Sequence, residues 1–281
     1  MTRRPALAPE LRDDLLRERP RLFGPTPGDW ALRAAAGLVI LAVLGFSLWR
    51  VDATPERIAE GIGRLGFLLQ FMWPPTAGGE LWRLVMALLE TLAIALIGTV
   101  AAAVASYPIG FLGARNILRM RLLRLPLRRA LDVIRGVDVL IFALIFVAAV
   151  GLGPFAGILA VAVNDVGNFS KLFAEAIENT DDGPAEGAAA SGCSRLETIR
   201  FAIVPQVMPV ILSHILYFFE RNVRAASIIG IVGAGGIGFE LSERIRGNYW
   251  DEAAFIILML LVTVMVIDRI SHRLRLRIIG R

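Results

Sequence analysis

Six stretches of mostly apolar residues run along the chain, near positions 31–49, 84–112, 133–152, 155–174, 207–226 and 253–268. A bilayer's hydrocarbon core of about 30 Å is crossed by roughly 20 such residues in helical form. The pattern therefore predicts an all-α, polytopic bundle of about six transmembrane helices. Gly151-Leu152-Gly153-Pro154 separates the third stretch from the fourth. One long kinked helix over 133–174 is the alternative there, because glycine and proline can either end a helix or bend it.

Between the fourth and fifth stretches the pattern changes. Glu175 to Pro205 is polar and acidic, with Glu178, Asp181, Asp182, Glu186 and Glu197. Its local signals predict two short helices. Pro184 suits a first helical position, Glu186 then lies near the positive end of the helix dipole, and Gly192 ends the helix. Ser194-Arg195-Leu196-Glu197 is a capping-box pattern opening the second helix. An apolar stripe of Leu196, Ile199 and Ile203 follows, and Pro205 is the expected stop. The same signals fit an ordinary ordered loop packed on its own spans.

Composition agrees with the membrane reading: 56% of residues are hydrophobic, 20% are charged, and the mean hydropathy is +0.64. The net charge of +5 and pI of about 10.2 could suggest nucleic acid. However, the arginines stand in blocks beside apolar runs, which is the mark of membrane topology and not of a basic binding face. Arg115, Arg119, Arg121, Arg124, Arg128 and Arg129 follow the second run, and Arg269, Arg273, Arg275, Arg277 and Arg281 follow the sixth. Both blocks are expected in the cytoplasm, with the N-terminal tail (Arg3, Arg4, Arg12, Arg17, Arg19, Arg21) and the 175–205 loop on the same side. This predicts a multi-pass inner-membrane protein with both termini cytoplasmic. The expected organisation is an N-terminal tail over 1–30, a first transmembrane helix and external loop over 31–80, a transmembrane domain over 81–270, and a basic C-terminus over 271–281. The first run lacks a small-residue cleavage site and reads as a retained anchor.

Candidate chemistry is sparse. Cys193 is the sole cysteine and His214 and His272 are the only histidines, so neither a disulfide framework nor a metal-ligand set is expected. Lys171 is the only lysine, between Ser170 and Leu172, so the Gly-Lys-Ser/Thr of a P-loop cannot be formed. No cofactor is expected in this chain, and any ATP and Mg would be bound by a partner ATPase. Gly233-Ala234-Gly235-Gly236-Ile237-Gly238 satisfies a dinucleotide fingerprint and follows a strand-like Ile228–Val232. Yet a Rossmann unit needs a second parallel strand ending in an acid, and the last membrane span occupies that place. Within a membrane these glycines suit close helix packing or a gate of non-helical backbone, equally. Ionisable residues inside spans are costly and point to function. They are Glu90, Asp138, Asp165 beside Asn164, Glu220 and Arg224. Asn222 and Arg224 could assist an anion on its way through, or Glu220 and Arg224 could form an internal i, i+4 salt bridge. Asp138 and Asp165 are expected to pair with Arg135 or helix backbone. With no acid evident near His214, no Ser-His-Asp constellation forms and an enzyme is not expected.

Glu186-Gly187-Ala188, Gly192 and Pro205 resemble the EAA signature of permease subunits of bacterial ABC importers, with Gly187 in place of its second alanine. The resemblance narrows with Glu90-Thr91-Leu92, Gly98-Thr99, Gly151 to Gly157, Lys171 to Glu178, Asn222-Val223-Arg224 and Gly230 to Gly238. Together these are similar to the phosphonate-type permease over about residues 80–270. The glycine-rich stretch is shared with methionine-type permeases. Where many relatives read Arg-Gly-Ile-Pro-Glu, this chain has Arg135-Gly136-Val137-Asp138-Val139. The resemblance implies a methionine-permease-like ABC importer fold whose loop docks as a coupling helix on an ATPase through Glu186, Gly187, Ala188, Gly192 and Pro205. It also implies a periplasmic solute-binding protein, a second permease copy (identical or a paralogue), a surround of membrane lipid, and phosphonate, phosphate or phosphite as cargo. No nucleic acid is expected as a partner. A methionine-type permease is one rival, and an ion-coupled secondary transporter, which would carry inverted repeats, is another.

Overall fold

The computed structural model describes residues 27–118 and 120–279, and the described residues are helical with no strand. The arginines of the N-terminal tail, Arg119 and Arg281 lie outside them. In chain order the helices are α1 (Pro27–Arg50), α2 (Pro55–Phe71), α3 (Leu81–Gly113), α4 (Arg121–Arg135), α5 (Val139–Val150), α6 (Pro154–Glu178), α7 (Asp182–Ala190), α8 (Arg195–Thr198), a π turn (Ile199–Ile203), α9 (Val204–Gly230), α10 (Ile237–Arg246) and α11 (Trp250–Ile279). Five of the six predicted stretches each fall within a single helix. Among the described residues four helices are both long and apolar enough to cross a membrane: α1, α3, the continuous helix from Arg195 to Gly230, and α11. A fifth results if α4 and α5 count as one span.

The chain divides into two compact units, Met1–Leu68 and Leu69–Arg281. Within the first, α1 ends at a turn where Asp52 has φ of 52° and Ala53 N–H donates to Leu48 O at 3.0 Å. The external loop expected before position 80 contains α2 instead. Thr54 accepts from Arg57 N–H at 3.3 Å and Pro55 fills the first helical position, a start signal that the sequence carried. Its apolar residues Ile58, Ile62 and Leu65 recur at helical spacing against a charged face that includes an Arg64–Glu60 pair at 3.4 Å.

In the second unit α3 and α6 form the central pair. Gly98, Ala102, Ser106 and Gly110 recur every fourth residue along α3 and let the two backbones approach. A Cβ on Gly110 would stand 2.7 Å from the Phe173 Cβ, and one on Gly98 would stand 2.8 Å from Val161. Ser106 Oγ donates to Val166 O at 3.2 Å across the same seam. α6 has 25 residues, enough to cross a membrane. Its polar groups Asn164, Asp165 and Ser170 are buried against neighbouring helices, so it behaves as the interior helix of the bundle.

Two expectations are corrected, and the alternative of one kinked helix over 133–174 is excluded. The stretch 133–152 is not a single span: α4 ends at Arg135, α5 begins at Val139, and the two are bent by 85°. α5 has only 12 residues, a rise of about 18 Å, too short to cross alone. Asp138 caps α5 by accepting from Leu140 N–H at 2.8 Å, which fixes the break at Gly136–Asp138. The Gly151–Pro154 segment separates two helices and does not kink one, because Gly151 and Gly153 take φ of 94° and 133°. Finally, Pro205 does not stop the helix. The π turn immediately before it widens the backbone where the proline ring would meet the carbonyl four residues earlier, and α9 continues.

Candidate functional site

The 175–205 segment is a helix, a glycine turn and a second helix. Its first start signal differs from expectation. Asp181 is the N-cap, accepting from Gly183 N–H at 3.1 Å, so α7 opens at Asp182 and Pro184 is its third residue. Gly192, at φ of 87°, turns the chain, while Cys193 N–H donates to Ala188 O at 3.1 Å. The Ser194–Glu197 capping box forms in both directions, with Ser194 N–H to Glu197 Oε2 at 2.7 Å and Glu197 N–H to Ser194 Oγ at 3.4 Å. Hydrogen bonding to the carboxyl from the Ser194 side chain and then from its backbone holds Glu197 below its ordinary value of 4.5.

The expected stripe of Leu196, Ile199 and Ile203 splits, because the π turn shifts the helical phase. Ile203 is buried with Phe173, Val207 and Phe218, Ile199 packs beside them, and Leu196 is 78% exposed. Glu186 and Gly187 are exposed and Ala188 is half-buried. Glu186 makes no hydrogen bond or ion pair among the described residues, so its carboxylate is not the helix cap that its spacing suggested.

Several contacts that sequence did not reveal tie this segment to the bundle. Gln206 accepts from Asp181 N–H at 3.1 Å and donates to Ala202 O at 2.9 Å. Arg195 donates to Ile117 O, and Asn116 donates to Ile177 O at 2.7 Å. Glu178 accepts from Arg115 N–H at 2.7 Å and from the Arg128 guanidinium. The basic region after α3, read as a loop, is helix from Arg121, and Arg128 also donates to Gly113 O at 3.0 Å.

The glycine-rich segment is a tight connection from α9 to α10, and the strand-like Ile228–Val232 is the last turn of α9 and the turn after it. Gly233, Gly235 and Gly236 have φ of 94°, 83° and 73°. Gly153 N–H donates to Gly233 O at 2.9 Å. The helix α10 lacks a cap of its own at Gly236, and α3 supplies one: Glu90 Oε1 accepts from Gly236 N–H at 3.0 Å and Thr91 Oγ1 from Ile237 N–H at 2.8 Å. Gly238 lies against the Ser227 backbone. A Glu80–Arg83–Glu240–Arg244–Glu252 ion network closes the same end of α3, α10 and α11. Burial works against the charge on Arg244, and the carboxylates of Glu252, Glu240 and Glu80 outweigh it and raise its pKa.

A cavity of about 600 Å³ lies where the α4–α5 break, the middle of α6 and the end of α9 meet, and it is lined in part by Arg135, Asn164, Arg221, Asn222 and Arg224. Gly233, Gly235, Gly236 and Gly238 do not border it. Glu220 and Arg224 pair at 3.3 Å, as their spacing predicts, and Arg224 also reaches Asp268 at 3.3 Å. Arg275 adds a second partner for Glu220 at 2.8 Å. The expected pairing of Asp165 with Arg135 is not the one formed. Arg135 turns to Asp132 at 3.3 Å, and Asp165 pairs with Arg221 and Asn222. Asn222 also donates to Thr99 Oγ1 at 2.8 Å. Arg221 carries the same signal as Glu220 and Arg224, an ionisable residue inside a span.

Comparison with known proteins fits this geometry. The family described as "Binding-protein-dependent transport system inner membrane component" matches residues 106–280. The phosphite transport system permease protein PtxC of Stutzerimonas stutzeri is 37% identical over 274 residues, covering 96% of each chain. The phosphate-import permease protein PhnE of Mycolicibacterium smegmatis is 36% identical over 229 residues, 82% of this chain and 43% of that protein. Among solved structures, an inward-facing form of the MetNI methionine ABC transporter shares the fold, with a TM-score of 0.63 at 18% identity over 72% of this chain and 99% of that one.

Proposed function

Because the chain belongs to the family of inner-membrane components of binding-protein-dependent transport systems, we propose that it forms the membrane path of an ATP-driven importer for phosphonate or a related oxyanion such as phosphite or phosphate. ATP and Mg are bound by separate ATPase subunits, a periplasmic binding protein delivers the cargo, and a second permease copy completes the path. On this reading both termini and the α7–α8 segment are cytoplasmic, which the arginine blocks support.

The observation that carries this reading is the α7–α8 segment. It presents an exposed Leu196 and a Glu186 that has no partner among the described residues, while Ile203, only a few residues on, is built into the core with Phe173 and Phe218. A push on α7 reaches α9 through the continuous helix from Arg195, and reaches α4 through Glu178. This is the helix-in-groove mode of docking, with the attached helices as the element that moves. Asn222 and Arg224 border the path. The glycines from Gly233 to Gly238 act on it from behind, by setting how closely α10 seats on α3.

The test is ATPase stimulation in vesicles holding the complete transporter, with binding proteins loaded with methylphosphonate, phosphite, phosphate or methionine. Stimulation and uptake with a phosphorus oxyanion support the reading, and response to methionine alone overturns it.

A further inference from the structure

The three arginines of the 600 Å³ cavity are not equivalent. Arg224 is held between two carboxylates, through Nη1 to Asp268 and Nη2 to Glu220, at 3.3 Å each. Arg135 leans on Asp132 at 3.3 Å. Arg221 engages its carboxylate through Nη2 alone, and its Nε and Nη1 have no hydrogen-bond acceptor among the described residues.

The surroundings of Arg221 hold it in place and leave its side chain partly exposed. Its guanidinium lies 4.1 Å from the Phe218 ring centroid. Behind it, Asp165 is 1% exposed, whereas the Arg221 side chain is 37% exposed. Asp165 is anchored in turn by Asn222, which is itself tied to Thr99. An anion entering the cavity therefore meets the guanidinium and not the carboxylate. The acid on the lining, Asp138, has Oδ1 occupied by the Leu140 N–H. The N-terminus of α5 opens into the same space at the break between two half-length helices, which adds the favourable end of a helix dipole.

We infer that this cavity is a transit site for a tetrahedral phosphorus oxyanion, with Arg221 as the group that binds it and Asp165 and Phe218 as the residues that position Arg221. The inference rests on the oxyanion-importer reading above. A planar guanidinium whose Nε and Nη1 N–H groups lack a protein acceptor keeps charged donors for the oxygens of such an anion. Its standing partner Asp165 offsets part of its charge, so the site holds the anion weakly enough to release it, as a pathway requires.

The experiment uses the complete transporter in proteoliposomes with methylphosphonate, phosphite and phosphate as probes, reading anions carried per ATP hydrolysed and the thermal midpoint of the permease. Arg221→Gln is expected to lower the transport ratio about tenfold or more, the scale of a lost charge-assisted contact. R221K, which keeps the charge without the planar guanidinium, is expected to recover part of that loss. Arg221→Gln also strands the buried Asp165, so the double variant D165N/R221Q separates stability from transit. Its thermal midpoint should return toward wild type while transport stays low. Transport restored in the double variant would show that Arg221 serves only to neutralise Asp165 and would overturn the site, as would an unchanged ratio in R221Q. Failure of the wild type to carry any of the three probes would instead overturn the proposed function.

Discussion

Thr91 accepts a hydrogen bond from the main-chain N–H of Ile237 at 2.8 Å, joining two segments 146 positions apart. Beside it Glu90 takes the preceding N–H, from Gly236. A helix start without a cap of its own is thus capped by another helix, and the Glu90-Thr91 pair and the glycine run form one structural unit. Thr91→Val keeps the shape and removes the acceptor. It should cost about 1–2 kcal/mol, lowering the thermal midpoint of the purified permease, and Thr91→Ser should keep most of the stability. Equal midpoints for T91V and wild type would show that the cap contributes nothing.

Glu186 and Gly192 act on docking for different reasons. Glu186 is exposed and makes no hydrogen bond or ion pair among the described residues, so Glu186→Ala should leave insertion and stability unchanged while lowering ATP-driven uptake. Gly192 sits at φ of 87°, and Gly192→Val should strain the turn by roughly 1–2 kcal/mol and misplace α7 against α8. Uptake in vesicles, normalised to permease inserted, measures both. Wild-type uptake in the two variants would sink the coupling role.

The Ser194–Glu197 box should be sensitive to acid. Glu197 titrates below 4.5 in the folded protein, so it binds fewer protons folded than unfolded. Its contribution is complete above 4.5 and is lost as the pH falls through the lowered value. A 13C titration of the Glu197 carboxyl should show a midpoint below the ordinary one, and Ser194→Ala should return it upward. The same midpoint in both proteins would remove the capping box as its cause.

Orientation is separable from all of these. Met120 is 59% exposed beside the start of α4, and Cys193 is the sole cysteine. In a Cys193→Ser background, Met120→Cys should react with a membrane-impermeant maleimide only from the cytoplasmic side. Labelling from outside would invert the topology and place α7 away from any ATPase.

The sequence by itself determined the parts governed by local rules. The apolar runs gave helices because a long apolar segment in a bilayer must satisfy its own backbone. The capping box and the Gly192 turn were legible because each depends on residues a few positions apart, and so was the Glu220–Arg224 pair. The tertiary structure decided what depends on distant partners. Asp165 chose Arg221 over Arg135 because α6 and α9 pack side by side, whereas Arg135 was already satisfied by Asp132 one helical turn away. The π turn that carries the chain through Pro205 and the break that divides α4 from α5 both override local expectation where the bundle needs a bend. The cavity behind that break exists only once α4, α5, α6 and α9 meet.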